Sequence, residues 1–265
     1  MTNILKQICL DKKHLVAEEK ELKSFEIIKK EAEGITTESN FQESLYTKIN
    51  NKEIAIIAEI KRKSPSHGIL NHNFNIKNIA ENYKKGGATC ISVLTDYKYF
   101  AGKNEYINIV KTISGLPILR KDFIIDPYQI YQAKTIGSDA ILLIMSCLSM
   151  DQAKEFEDIA SSIGLDILVE THNEDEIAKA LELNTKLIGI NNRNLKTLDI
   201  SLNNIKNLAE LIPNNKIIIC ESGINSKKDL DMITNLDIYG FLIGGYLMKG
   251  EEHISDRLSD LLTQR

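Results

Sequence analysis

The sequence predicts an α/β chain folded as a (β/α)8 TIM barrel with an extra N-terminal helical segment. Three observations carry this expectation. From residue 54 onward, short apolar, β-branched runs recur at 54–60, 89–94, 117–119, 140–144, 166–169, 187–190, 216–220 and 239–243. Runs of this length bounded by turn residues read as buried strands. Between them lie segments of helical periodicity, such as Ile76-Lys77-Asn78-Ile79-Ala80-Glu81-Asn82-Tyr83 and Ile177-Ala178-Lys179-Ala180-Leu181. Gly86-Gly87, Gly137 and Gly164 stand where a helix should stop before the next strand. Strand–helix units repeating every roughly 20–35 residues match the barrel. An open, doubly wound sheet is the alternative, but no GxGxxG follows the first run.

The segment before the first run differs from the rest. Ile4, Leu5, Ile8, Leu15 and Val16 form a patchy apolar face, and Phe41, Leu45 and Ile49 recur at i, i+4, i+8. Glu33-Gly34-Ile35-Thr36-Thr37 breaks the two apart. These stripes are too few to enclose a core of their own. Residues 1–50 are therefore expected to be a helical extension packed across one end of the barrel, with residues 1–265 forming one domain.

Composition excludes several classes of function. The 43% hydrophobic and 26% charged fractions are those of an ordinary globular protein. A net charge of -4 leaves no basic excess for nucleic acid. No stretch approaches about 18 continuous apolar residues, so no membrane partner is expected. The N-terminus lacks a long apolar core of the secretory type, and the four Cys are scattered, as for thiols in a reducing cytoplasm. The five His show no metal-ligand spacing. A cytoplasmic monomer without bound metal is the expectation.

In such barrels the active site lies at the C-terminal ends of the strands. Those positions offer Glu59 and Lys61, Thr95 and Asp96, Arg120-Lys121-Asp122, Met145 and Ser146, Glu170, Asn191-Asn192-Arg193, Glu221-Ser222-Gly223, and Gly244-Gly245. Singly, each could be a cap or a surface ion pair. Together, Glu59, Glu170 and Glu221 with Lys61, Lys121 and Arg193 put three carboxylates and three cations around one mouth. Buried ion pairs are poor stabilisers, so so many opposed charges point to chemistry. A Lys in such company is expected to lose part of its proton affinity and serve as an acid near neutral pH. The Gly-containing loops after the last two strands, from Glu221 and from Ile243, suit a phosphate, which such barrels bind there through backbone N–H groups. Ser64 could add a hydroxyl. The same glycines could merely turn the chain.

These residues carry a family likeness. Glu59-Ile60-Lys61-Arg62-Lys63-Ser64-Pro65-Ser66 resembles a signature of the indole-3-glycerol-phosphate synthases of tryptophan biosynthesis. The resemblance continues in Ser92-Val93-Leu94-Thr95-Asp96 with Phe100 and Gly102, Leu119-Arg120-Lys121-Asp122-Phe123-Ile124, Leu168-Val169-Glu170, Ile188-Gly189-Ile190-Asn191-Asn192-Arg193-Asn194-Leu195, Glu221-Ser222-Gly223-Ile224 and Phe241-Leu242-Ile243-Gly244. It covers nearly the whole barrel. Asn194 stands where the family often has Asp, and Gly245-Tyr246 replace a commoner pair of small or polar residues.

The resemblance implies a carboxy-lyase that converts 1-(2-carboxyphenylamino)-1-deoxyribulose 5-phosphate into indole-3-glycerol phosphate, with loss of carbon dioxide and water. It implies Lys121 as the general acid of ring closure. For the dehydration it leaves Glu170, Glu59 and Lys61 as candidates, with Glu170 the preferred base. Arg193 and Asn191 would hold the substrate carboxylate and hydroxyls, and Glu221 would orient Arg193 or a hydroxyl. Ser64, Ser222, Gly223, Gly244 and Gly245 would hold the phosphate. Phe123 and Leu195 would form a slot for the anthranilate ring. The implied partner is a small phosphorylated substrate, and no cofactor is required, since the protonated carbonyl is the only electron sink needed. Rival phosphate-binding barrels fit less well: an isomerase of the same pathway would want Cys where Glu59-Ile60-Lys61 stands, and a metal-dependent epimerase would want His and Asp at the strand ends.

Overall fold

The computed structural model describes residues 3–65, 68–70, 73–194, 199–249 and 253–263. Three helices come first: α1 (Asn3–Leu22), α2 (Phe25–Glu33) and α3 (Phe41–Asn50). Strand β1 (Ala55–Ile60) follows, then a small hairpin of β2 (Lys63–Ser64) and β3 (Gly68–Ile69). The chain continues as α4 (Ile76–Lys85), β4 (Cys90–Leu94), α5 (Tyr97–Phe100), α6 (Glu105–Ser114), β5 (Ile118–Lys121) and α7 (Pro127–Thr135). Next are β6 (Ala140–Ile144), a 3-10 turn (Met145–Cys147), α8 (Met150–Ser162), β7 (Asp166–Thr171), α9 (Glu174–Ala180) and β8 (Leu187–Asn191). Last come α10 (Asn203–Ala209), β9 (Ile217–Glu221), α11 (Lys227–Thr234), β10 (Gly240–Ile243) and α12 (Ile254–Leu262).

The strands β1-β10-β9-β8-β7-β6-β5-β4 form a closed, parallel barrel, the expected (β/α)8 architecture. All the expected runs are strands. The runs at 117–119 and 166–169 extend two residues further, through Lys121 and Thr171. Charge at a strand end does not break the ladder, because Leu94 pairs Lys121 and Ile144 pairs Glu170 in register. Helix starts are fixed by side-chain caps, as when Asn75 accepts from the N–H groups of Lys77 and Asn78. Gly87, Gly137 and Gly164 adopt the left-handed backbone that ends a helix before the next strand.

Alternation along each strand divides its residues between two environments. Ala55, Ile57, Leu119, Leu142, Leu168, Leu187, Ile217, Ile219 and Leu242 fill the barrel interior. Continuing the same two-residue period brings Glu59, Lys121, Glu170, Asn191 and Glu221 to the top of that interior. The intervening residues, such as Ile56, Ile91, Val169 and Ile190, pack outward against the helices.

The N-terminal helices do not lie across one end, as expected; they serve both ends of the barrel. Phe41 and Leu45 of α3 are wholly buried and plug the end where the strands begin. Asp166 at the start of β7 accepts from the Ser39 hydroxyl at 2.6 Å and from the Gln42 N–H at 2.8 Å, fixing α3 there. Helix α1 instead reaches the opposite end, where Ile4, Leu5 and Ile8 line the mouth. Its Lys12 is 3% exposed and lies 2.7 Å from Asp96 and 2.8 Å from Asp122. The extension is long enough to span the barrel's height, so its apolar stripes divide between two tasks.

We propose that residues 1–265 fold as one domain, because α1 and α3 are joined to the barrel by buried groups that neither part could leave unpaired. Lys12→Met removes one cation from a buried cluster and leaves Asp96 and Asp122 short of a partner. It is expected to lower the free energy of unfolding by about 3 kcal/mol in a denaturant titration, the low end of the range for a broken buried pair, since Arg120 and Thr95 still reach Asp122.

Candidate active site at the barrel mouth

A cavity of about 440 Å³ opens at the C-terminal ends of the strands, a volume ordinary for a small-molecule site. Its lining includes Glu59, Lys61, Ser64, Lys121, Phe123, Glu170, Asn191, Arg193, Glu221, Ser222, Gly223, Gly244 and Gly245. The described residues given a substrate or catalytic role by the family resemblance thus line one cavity, whereas the strand-end residues Thr95, Asp96, Arg120, Met145, Ser146 and Asn192 are not in its lining. Leu195 lies outside the described residues.

At the centre is the Lys121 ammonium. It donates to Glu170 Oε2 at 2.9 Å and to Glu221 Oε2 at 2.7 Å. Across the mouth Lys61 Nζ lies 2.5 Å from Glu59 Oε1. Glu59, Glu170 and Glu221 are 4%, 5% and 1% exposed. Carboxylates so deeply buried need room as well as partners, and two glycines supply it. A Cβ on Gly244 would lie 2.4 Å from Glu59 Oε1, and one on Gly189 would lie 2.1 Å from Glu221 Oε1. The glycine at 244 is thus explained by Glu59 before any phosphate is considered.

Burial and charge split the titration of the acids. Burial pushes Glu59 up, but Lys61 and Lys121 outweigh it and hold the group below its ordinary value. Glu170 is likewise driven well down, against burial, by Lys121 and His172. For Glu221 burial wins: with Glu170 repelling it and only Lys121 opposing, its carboxyl is raised to about 8. Among the described residues its Oε1 has no hydrogen-bond partner. Near neutrality Glu221 holds a proton while Glu59 and Glu170 are charged.

One expectation needs correction: Lys121 does not lose proton affinity. Burial alone would lower it, but Glu170, Glu221 and Glu59 together raise it above the ordinary lysine value. Glu221 Oε2 accepts from Lys121.

In the loop after β9, Ser222 and Gly223 have φ of 65° and 97°, two consecutive residues in the left-handed region. For Ser222 this backbone costs about 1–3 kcal/mol, a strain typical of functional loops. Gly245 faces open space, with nothing near a Cβ built on it.

Several features of the mouth escaped the sequence reading. Ile4, Leu5, Ile8 and Phe100 complete its apolar wall. Arg120 is 2% exposed but faces outward, bonded to the Gln129 carbonyl at 2.8 Å and to Gln132 Oε1 at 2.7 Å. With Thr95, Asp96, Asp122 and Lys12 it forms a separate network beneath α1 and α7. Lys12 had a signal: it lies on the i, i+4 stripe of Ile8 and Val16, where a cation must find buried partners. His172 had one too, two residues beyond Glu170.

Comparison with known proteins agrees with this geometry. The indole-3-glycerol phosphate synthase family model matches residues 5–257. A protein of that name from Polynucleobacter necessarius is 43% identical over 257 residues, covering 95% of this chain and 96% of the relative. One from Endomicrobium trichonymphae is 43% identical over 258 residues, covering 97% of this chain and 99% of the relative. One from Azospirillum brasilense is 40% identical over 252 residues, covering 95% and 96%. Among solved structures, KGPDC from Streptococcus mutans superposes with a TM-score of 0.60 at 11% identity, covering 79% of this chain and 96% of that one. An N-acetylmannosamine-6-phosphate 2-epimerase from Clostridium perfringens gives a TM-score of 0.57 at 17% identity, covering 81% and 96%. These last likenesses speak to the barrel alone. Matched from residue 5 to residue 257, and over nearly the full length of its relatives, this chain belongs to the indole-3-glycerol phosphate synthase family.

Proposed function

We propose that the mouth of this barrel performs the family's ring closure, with Lys121 as its central acid. The activity is the synthesis of indole-3-glycerol phosphate: 1-(2-carboxyphenylamino)-1-deoxyribulose 5-phosphate closes its ring, then loses carbon dioxide and water. The observation that carries the residue assignment is the Lys121 ammonium held between Glu170 and Glu221. The ring carbon bearing the carboxylate attacks the ribulose carbonyl, and the carbonyl oxygen takes a proton from Lys121. Because its carboxylate neighbours raise its proton affinity, Lys121 enters each cycle charged. Glu221, 2.7 Å away and itself protonated near neutrality, can return the proton.

Departure of carbon dioxide restores the aromatic ring. Dehydration then needs a proton on the hydroxyl and a base for the proton on the adjacent ribulose carbon. Glu170, held ionised, is the base. Glu59 is also held ionised, so the acid falls to Lys61, whose ammonium it positions. Arg193 and Asn191 face the substrate carboxylate and hydroxyls, and Phe123 with the apolar wall of α1 takes the ring. The phosphate is assigned to Ser64, Ser222, Gly223 and Gly245; Gly244 serves chiefly to make room for Glu59. With Glu221 neutral, the lining cations Lys61, Lys121, Arg193 and Lys249 outnumber Glu59, Asp122 and Glu170, which suits a substrate bearing both a carboxylate and a phosphate.

A cytoplasmic, monomeric state belongs to the same proposal; free cysteines accord with a reducing compartment. Among the described residues no helix is long and apolar enough to cross a membrane.

The direct test is to mix the protein with the carboxyphenylamino-deoxyribulose phosphate and follow indole fluorescence. Lys121→Met is expected to lower turnover by about 10²–10⁴-fold, the usual worth of a positioned proton donor. Near-normal turnover in that variant would remove Lys121 as the acid.

The raised Glu221 carboxyl has a separate consequence for stability. The folded state binds this proton more tightly than the unfolded chain, so its stabilising effect is full below the ordinary carboxylate value of 4.5 and is lost as pH rises toward about 8. Relative to Glu221→Gln, the unmodified protein should lose stability across this window in denaturant titrations at successive pH values. Parallel pH profiles for the two proteins would contradict the assignment.

A further inference from the structure

The contacts behind Lys121 do not end at Glu170. His172 stands two residues on, and its side chain is 8% exposed. Its Nε2 lies 3.2 Å from Glu170 Oε1, an ion-pair contact without a well-aligned hydrogen bond. Its Nδ1 lies 3.0 Å from Glu176 Oε2. Glu176, in the first turn of α9, is itself fixed: Oε2 also accepts the His172 backbone N–H, and Oε1 accepts the Asn173 amide, each at 2.9 Å. Both ring nitrogens thus face carboxylate oxygens, and a doubly protonated ring is the form that suits both.

The titratable groups around the ring are few. Glu170 faces it from β7 and Glu176 from α9. Cys147, in the turn after β6, has its thiol pushed up by the Cys9 thiol and by burial, so it stays uncharged. Lys121 stands on the far side of Glu170. Burial opposes the charge on His172, but the two carboxylates prevail and raise it to about 9.

We propose that His172 is a positioning residue for ring closure: its imidazolium holds one oxygen of Glu170 while Lys121 holds the other, which keeps Glu170 ionised and aimed and leaves the buried proton on Glu221. The chain Glu176–His172–Glu170–Lys121–Glu221 runs from the foot of α9 to the centre of the mouth. His172 is absent from the cavity lining, so its effect must pass through Glu170. The proposal rests on the reading of Glu170 as the dehydration base.

The sign of the effect follows from charge. Removing a cation from beside Glu170 raises its proton affinity, so the base is disarmed at a higher pH. His172→Gln is expected to lower kcat by about 10²-fold, the cost of a misplaced catalytic group, with KM nearly unchanged. The acid limb of its kcat–pH profile should move upward by about one unit or more. Glu176→Gln keeps the imidazole and should move the limb the same way by less. An acid limb unmoved in both variants, or a loss of kcat accompanied only by a lower Tm, overturns the proposal and leaves His172 a packing residue. A second readout does not need turnover: in [15N]histidine-labelled protein the His172 ring should carry both protons at about pH 7.5. A neutral ring would also overturn the proposal. Failure of the unmodified protein to form indole product would count against the ring-closure reading instead, so the two failures are distinguishable.

Discussion

Everything at this barrel mouth depends on one ammonium group placed among buried carboxylates. Lys121 is the cation that Glu170 and Glu221 share. An uncompensated carboxylate so deep in a protein would be strongly destabilising, and two of them beside each other more so. The barrel solves this by geometry. Closure of the sheet sets β5, β7 and β9 around a common interior, and the two-residue period brings position 121, 170 and 221 to its upper edge. Gly189 and Gly244 then leave the carboxylates space that any side chain would fill. Sequence, register and electrostatics meet in that layer.

The consequence for chemistry is a division of labour among acids that look alike in sequence. Glu59 and Glu170 each have cations close enough to overcome burial. Glu221 shares Lys121 with Glu170, and burial raises its carboxyl, so it retains a proton. Lys121, Glu170 and Glu221 thus sit within hydrogen-bond reach of one another, the two carboxyls set apart by environment rather than residue type. The helices outside the ring hold this arrangement: α9 carries Glu176 behind His172, and α1 carries Lys12 against Asp122, the residue next to Lys121.

Much of this was legible in the residues. Apolar β-branched runs and helical stripes gave the barrel, because a parallel strand buried on both faces cannot hide its pattern. Charge at the ends of those runs gave the mouth. What could not be read was anything that depends on distances between strands far apart in sequence. Crowding at a strand end does not say whether a lysine gains or loses proton affinity; for Lys121 the sign is set by Glu170, Glu221 and Glu59, which come from other strands. The room that Gly244 leaves for Glu59 is equally hidden, because that contact crosses from the last strand to the first. Residues 1–50 were placed at one end, since apolar stripes show that a helix packs but not where. Lys12 and His172 each carry a local signal, a cation on an apolar stripe and a histidine in phase with a strand-end carboxylate, but the partners of Lys12, Asp96 and Asp122, lie on distant elements.

The central claim is that one proton resides on Glu221 beside a charged Lys121. A 13C NMR titration of glutamate-labelled protein, compared with Glu221→Gln, measures this directly. One carboxyl should titrate at about 8 and disappear in the variant. A Glu221 carboxyl that titrates near the ordinary 4.5 instead would contradict the arrangement described here.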